Sequence, residues 1–258
     1  MSRLRAKCPD CRAHTAVALG AEYECHSCGR TFGAGLVRVP RAWGKGGEAM
    51  AESAGLPLPY PEAAVIEEDS LSEQSFALAL ELPDRPLVLG GCCCSHIGAV
   101  EALAARHDRI ALLWFDAHGD LNTPESSPSG NEWGMPLRML LDSGAVGAED
   151  VALVGARNLD PPEEEFIAAI GLGIGAQAVD GALRDTAGAY VAIDFDALDE
   201  TEVAAFMPEP GGLALSEMEA LVSSARKQAP VLGAGFSALL PREENLGPIS
   251  RLTAALGF

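Results

Sequence analysis

Hydrophobic residues along this chain fall into short unbroken blocks rather than alternating with polar ones. Leu87-Val88-Leu89, Ile110-Ala111-Leu112-Leu113-Trp114-Phe115, Val151-Ala152-Leu153-Val154 and Tyr190-Val191-Ala192-Ile193 are each apolar throughout. A strand with one wet face shows a period of two, so such blocks predict strands covered on both faces, as in a parallel sheet. Helical spacing fills the intervals, at about 97–107, 134–143, 162–170 and 215–227. This alternation predicts an α/β fold of three layers, with a mostly parallel sheet between helices. The stretch 41–85, rich in Gly, Pro, Ala and Glu, gives no readable period, and no internal repeat is present.

The first residues have a different texture. Cys8-Pro9-Asp10-Cys11 and Cys25-His26-Ser27-Cys28 are separated by 13 residues, and Gly29 follows the second pair. This spacing suits two knuckles converging on one tetrahedral zinc, held by Cys8, Cys11, Cys25 and Cys28. Thr15-Ala16-Val17-Ala18-Leu19 and Ala21-Glu22-Tyr23-Glu24 read as short strands between them. So small a segment buries too little apolar area to fold unaided, and the metal supplies the missing stability. The organisation expected is a zinc ribbon over residues 1–34 followed by an α/β domain over 35–258.

Composition narrows the classes of partner. At 258 residues and 48% hydrophobic content the chain holds a full domain core plus a small appendage. Its net charge of −19 repels phosphate backbones and argues against nucleic acid as the main partner. Residues 1–48 do hold eight Lys and Arg, which keeps a nucleic-acid role for the first module weakly in play. The opening Met1-Ser2-Arg3-Leu4-Arg5-Ala6-Lys7 lacks the apolar stretch of a secretory signal, and no apolar run is long enough to span a membrane. A cytoplasmic location is expected. The seven cysteines, three of them consecutive at Cys92, Cys93 and Cys94, then point to metal binding or reactive thiols rather than disulfides.

Chemistry concentrates at the ends of two strands. Asp116-Ala117-His118-Gly119-Asp120 directly follows the block ending at Phe115, and Asp194-Phe195-Asp196 directly follows the block ending at Ile193. Residues two apart in extended chain share a face, so each cluster aims its polar side chains at one point. Open parallel sheets bind ligands beyond the carboxyl ends of their strands, where both clusters fall. Converging carboxylates repel one another unless a divalent cation neutralises them, and a carboxylate-rich set with one His favours manganese over zinc.

These residues carry a family resemblance. Asp116 to Asp120, continued by Leu121-Asn122-Thr123-Pro124-Glu125-Ser126-Ser127-Pro128-Ser129-Gly130-Asn131, resembles the central motif of arginases and agmatinases, the ureohydrolases. Asp194-Phe195-Asp196-Ala197-Leu198-Asp199, then Pro210-Gly211-Gly212-Leu213, resembles that family's second metal motif. Leu87 to Gly91 resembles the strand leading to its first ligand, and Val39-Pro40-Arg41-Ala42-Trp43-Gly44 its opening strand and loop. The resemblance runs from about residue 35 to the end. It implies an arginase-like fold and a binuclear manganese centre bridged by Asp116 and Asp194, with His118 and Asp196 completing one ion and Asp120 the other. It further implies a small-molecule substrate, and a metal-bridging hydroxide that attacks the planar carbon of a linear amidine or guanidine and breaks a C–N bond. Asn122, Ser129 and Asn131 match residues that hold a substrate carboxylate, and Asp160 one that reaches its amino group. Family members are commonly oligomeric, which suits a homo-oligomer of undefined assembly.

Three positions depart from the family pattern. Cys93 stands where the family carries a metal-binding His, and His96 is an alternative nitrogen ligand if the turn is rearranged. Trp133 replaces a proton-shuttling His. Gly235 takes the position of a late-strand Glu that grips the guanidinium, so arginine itself is not the expected substrate. A rival reading of the thiols makes Cys94, near His96, a nucleophile. A rival for the whole chain is a non-catalytic metal- or ligand-binding regulatory protein that kept the fold.

Overall fold

The computed structural model describes residues 8, 10, 11, 13–19, 22–33 and 35–258. The basic stretch at 1–7, with Pro9 and Ala21 of the expected motifs, lies outside the described residues. Strands β1 (Ala16–Leu19), β2 (Glu22–Cys25) and β3 (Thr31–Gly33) make a small antiparallel sheet in that order. Its interior is minimal: Cys8, Ala16 and Cys25 are buried, with Tyr23 and Phe32 partly buried against them.

The main sheet comprises β4 (Leu36–Val39), β5 (Glu62–Val65), β6 (Leu87–Gly90), β7 (Ala111–Phe115), β8 (Val151–Val154), β9 (Gly173–Ile174), β10 (Ala189–Asp194) and β11 (Val231–Ser237). Among the described residues it is eight-stranded, in the order β5-β4-β6-β11-β10-β7-β8-β9, and its pairings are parallel. Successive strand residues face opposite layers: Leu113 and Phe115 enter one core, while Leu112 and Trp114 enter the other. Helices α1 (Glu48–Ser53), α2 (Leu71–Glu81), α3 (Ile97–Arg106), α4 (Pro136–Asp142) and α5 (Pro161–Ile170) cover the Trp114 side. Helices α6 (Val179–Ala182), α7 (Leu215–Gln228) and α8 (Leu246–Leu256) cover the other. Both faces are therefore dry, which is why the strand blocks carry no polar alternation.

The expected strands and helices fall within a residue or two of their observed ends. The unreadable stretch 41–85 contains α1, β5 and α2, short elements whose apolar faces are defined only by what they cover. The opening strand lies earlier than Val39–Gly44 suggests, and the chain after Val39 is loop. Helix α8 and strand β9 have no counterpart among the sequence expectations. No helix among the described residues is long and apolar enough to cross a membrane.

The turn after β6 determines where its cysteines go. A Cβ on Gly90 would stand 1.9 Å from Ser95 Oγ, and one on Gly91 only 2.3 Å from the Arg41 backbone oxygen. This close approach lets the chain enter a 3-10 turn, Cys93–His96, at the mouth of the sheet. Gly91→Ala is expected to lower the unfolding free energy by about 1–3 kcal/mol through overpacking against backbone that has no rotamer to yield. Urea denaturation measures it, and an unchanged midpoint would contradict so tight a contact.

Candidate metal centre

Four neighbouring strands, in the order β6-β11-β10-β7, each deliver a side chain to one place at their carboxyl ends. Beyond β6 comes Cys93, β11 ends on Ser237, β10 ends on Asp194, and Asp116 follows β7. Asp194 and Ser237 are in parallel register, which puts them side by side. Cys93 Sγ lies 2.9 Å from Asp194 Oδ2, 3.2 Å from Ser237 Oγ and 3.7 Å from Asp116 Oδ2. His118 Nδ1 stands 2.9 Å from Asp196 Oδ2 and 3.5 Å from Asp116 Oδ1. The structure thus brings together Cys93, Asp116, His118, Asp120, Asp194 and Asp196.

Ligand atoms of Cys93, Asp116 and Asp120 all lie within 4.8 Å of one another, as do those of Asp116, His118 and Asp196. The two groups share Asp116, and Asp194 sits beside Cys93. Backbone amides hold part of the set in place. Asp116 Oδ1 accepts from His118 N–H, Asp194 Oδ1 from Asp196 N–H, and Asp196 Oδ1 from Ala117 N–H. The Trp114 indole donates to Asp116 Oδ2 at 3.2 Å.

Asp120 is different. Its backbone is left-handed at φ 53, a conformation that non-glycine residues rarely adopt, and its buried Oδ2 has no hydrogen-bond partner among the described residues. An unpaired buried carboxylate oxygen on a residue grouped with other potential ligands fits a divalent cation, and so does the oxygen-rich donor set.

The electrostatics agree with the geometry. Burial, then repulsion from Asp116 and Asp194, pushes the Asp120 carboxyl well above the carboxylate range. Asp194 is raised by burial and by the charges of Asp196 and Asp116. Asp116 is pushed up to about 6 by burial and Asp196, against the opposing pull of His118. For His118, burial opposes the charged form, but its bonds to Asp116 and Asp196 outweigh this and raise its pKa to about 12.

A cavity of about 250 Å³ opens over the cluster. Met50, Trp133, Phe206 and Met207 form an apolar wall, while Asn122, Ser129, Asn158, Asp160 and Glu163 contribute polar groups. Of the expected carboxylate-holding residues, Asn122 is already committed: its Nδ2 donates to Asp160 Oδ2, and its Oδ1 accepts from Ser126. Ser129 lines the cavity and accepts from Asn131 N–H. Asn131 turns its Oδ1 to the Lys45 N–H instead.

Two alternatives drawn from the sequence do not fit this geometry. His96 cannot readily serve the cluster, because its ring nitrogens face Tyr190 Oη at 3.0 Å and Ser237 Oγ at 3.1 Å, and burial keeps it neutral with a pKa down to about 3. Cys94 does not pair with His96; its thiol donates to the Glu132 carbonyl, and burial pushes its pKa far up, the opposite of an activated nucleophile. Gly235 is not among the residues that line the cavity, and a Cβ there would come within 2.6 Å of His96 Cε1 and Tyr190 Oη. The β11 residue that meets the cluster is Ser237, the next position on the same face; the end of the apolar block was its only signal.

Other neighbours were also missed. Glu163 accepts from the N–H groups of Leu121 and Asp160. Glu209 Oε1 accepts from Asn158 Nδ2 and lies 3.6 Å from His118 Nε2. Arg157 donates to the carbonyls of Gly155, Asp196, Glu209 and Pro210, bracing the loop after β8 to the loops after β10.

The sheet and the acidic group at its carboxyl end define a three-layer α/β domain with a candidate metal centre. The Arginase family model matches residues 56–256, and the chain belongs to that family. It is 33% identical to the arginase of Staphylococcus aureus over 164 residues, 54% of each chain, so the alignment spans about half of that relative's length. The solved arginase of Bacillus subtilis superposes with a TM-score of 0.76 at 22% identity, covering 86% of this chain and 97% of the other. The formimidoylglutamase of Bacillus subtilis gives 0.66 at 18% identity, covering 86% and 85%. At these identities the two structures speak for the fold alone.

Asp116, His118, Asp120 and Asp194 all hold protons more tightly than in an unfolded chain. Each raised pKa means that the folded state binds more protons, so folding stability without metal falls as pH rises. Chelator-treated protein is expected to lose thermal stability between about pH 5 and about pH 8, as scanning calorimetry would show. Asp120→Asn is expected to restore about 1–3 kcal/mol at the upper end. A flat or rising profile would contradict the crowding of these groups.

Proposed function

We propose that the chain is a metal-dependent hydrolase of the ureohydrolase type, cleaving a C–N bond of a linear amidine or guanidine-like small molecule. The observation that carries this reading is the convergence of Cys93, Asp116, His118, Asp120, Asp194 and Asp196, with one carboxylate oxygen left unpaired, at the floor of a cavity. Membership of the arginase family supports it, as does a 33% identical relative named for arginase activity.

Divalent ions, manganese by family habit, would be held by Asp116 and Asp194 together with His118 and Asp196, and with Asp120 and Cys93. Such ions supply Lewis-acid activation of water and of the electrophilic carbon. The chain's own residues do the rest. Backbone amides at Ala117, His118 and Asp196 fix the carboxylates. Met50, Trp133, Phe206 and Met207 present an apolar wall that limits water at the reacting end. Glu209 stands near enough to His118 Nε2 to orient the imidazole.

Arginine is a poor fit. The end of β11 offers Ser237 to Cys93 and Ala238 to the cavity, and neither is a carboxylate able to make a charge-assisted bidentate contact with a guanidinium. Among the described residues the cavity lining includes no Lys or Arg to answer an α-carboxylate, and Asn122 is tied to Asp160. The expected result is urea, amide or ammonia release from some member of a linear amidine panel other than arginine, and loss of that release in Asp116→Asn. Absence of turnover across the panel by protein carrying its metals would sink the enzymatic reading in favour of a non-catalytic binding module.

The segment 1–34 is proposed as a structural zinc ribbon beside the hydrolase domain 35–258. Sγ atoms of Cys8, Cys11, Cys25 and Cys28 all lie within 4.8 Å of one another, with Cys8 to Cys28 at 3.6 Å and Cys11 to Cys25 at 3.5 Å. Sulfurs at about 2.3 Å from zinc in a tetrahedron stand about 3.8 Å apart, close to that spacing. Cys25→Ser is expected to remove about one zinc per chain and make this segment sensitive to protease, while the main domain keeps its thermal transition. Unchanged zinc content would refute the assignment.

A further inference from the structure

The two potential ligand groups that share Asp116 are chemically unequal. One offers an imidazole nitrogen and carboxylate oxygens, from His118, Asp116 and Asp196. The other offers a sulfur with carboxylate oxygens, from Cys93, Asp116 and Asp120, and has no nitrogen. Cys93 is 4% exposed, and its Sγ points into the carboxylates rather than towards solvent.

The surroundings of that sulfur are themselves ordered. Ser237 Oγ lies 3.2 Å from Cys93 Sγ, and the serine is fixed from behind by His96, which is fixed in turn by Tyr190. With His96 Nε2 donating to Ser237, the serine hydroxyl is free to donate to Cys93. A donor supplied from a rigid, buried chain stabilises sulfur in its anionic, metal-binding form and holds its direction. The same chain explains Gly235: a Cβ there would stand 2.6 Å from both His96 Cε1 and Tyr190 Oη, so any side chain would strike them.

Thiolate donors prefer borderline ions such as zinc, ferrous iron or cobalt, whereas carboxylates suit manganese. Resting on the binuclear reading above, we propose that the centre is a mixed-metal one, with a zinc-class ion on the Cys93, Asp116 and Asp120 side and manganese on the His118, Asp116 and Asp196 side. The order of intrinsic affinities already favours zinc over manganese at most sites, so selectivity shows only when manganese is in large excess. Under that condition the sulfur position retains zinc and the imidazole position does not.

The test uses the full chain, stripped with chelator and dialysed against manganese in large excess over zinc, with both metals counted by mass spectrometry. Wild type is expected to hold about two zinc ions, one of them in the ribbon, and about one manganese. Cys93→Ser is expected to lose about one of those zinc ions, and a Cys93→His chain to replace it with manganese. An independent reading is the near-ultraviolet sulfur-to-cobalt charge-transfer band of cobalt-loaded protein. Part of that band should persist in Cys25→Ser, where the ribbon is disabled, and should vanish when Cys93→Ser is added. Two manganese ions in wild type, with cobalt spectra unaffected by Cys93→Ser, would overturn the mixed-metal inference while leaving a binuclear centre. Ribbon zinc alone in wild type and in Cys93→His would overturn the binuclear reading itself.

Discussion

Mutual repulsion among buried carboxylates is the constraint on which the arrangement of this molecule depends. Asp116, Asp120, Asp194 and Asp196 are all buried at one end of the sheet, where little solvent remains to screen them. Backbone N–H groups satisfy one oxygen on each of Asp116, Asp194 and Asp196, which removes part of the cost of desolvation. What is left is the charge itself. Protonation can absorb it, as the raised pKa values of Asp116, Asp120 and Asp194 imply, and so can cations.

The rest of the domain makes that crowding possible. A parallel sheet with both faces covered fixes the positions of its strand ends to within a hydrogen-bond register, and β6, β11, β10 and β7 are neighbours in it. The crossing helices and their dry cores keep those ends from drifting apart. Arg157 ties the loop after β8 to the chain beyond Asp196, so the walls of the cavity are braced as well as the floor. The left-handed backbone at Asp120 is then a local cost borne by a rigid frame, in the manner of strain stored at functional sites.

The small antiparallel sheet has the opposite physics. Among the described residues its buried interior holds Cys8, Ala16 and Cys25, little apolar area to set against the entropy of ordering the chain, and its four thiols lie close together. One chain therefore combines a large sheet whose buried apolar surface tolerates a destabilising site with a small sheet that buries little beyond its thiols.

Much of this was legible in the sequence because burial on both faces of a strand leaves an unbroken apolar block, and because strand-end motifs such as Asp116 to Asp120 keep their spacing. The blocks at Leu112–Phe115 and Tyr190–Ile193 located two central strands, and the acids that follow them located the candidate centre. Elements such as α1, β5 and α8 were not legible, since their apolar faces are set by neighbours distant in the chain. The same holds for Ser237, Glu163 and Glu209, which reach the site from separate loops and strand ends, and for the engagement of His96 by Tyr190 and Ser237. The sequence determined which residues sit at the carboxyl ends of which strands, because local pattern and chain order dictate that. Only the tertiary structure decided which strands are neighbours, and hence that a thiol, rather than the nearby imidazole of His96, faces the aspartates.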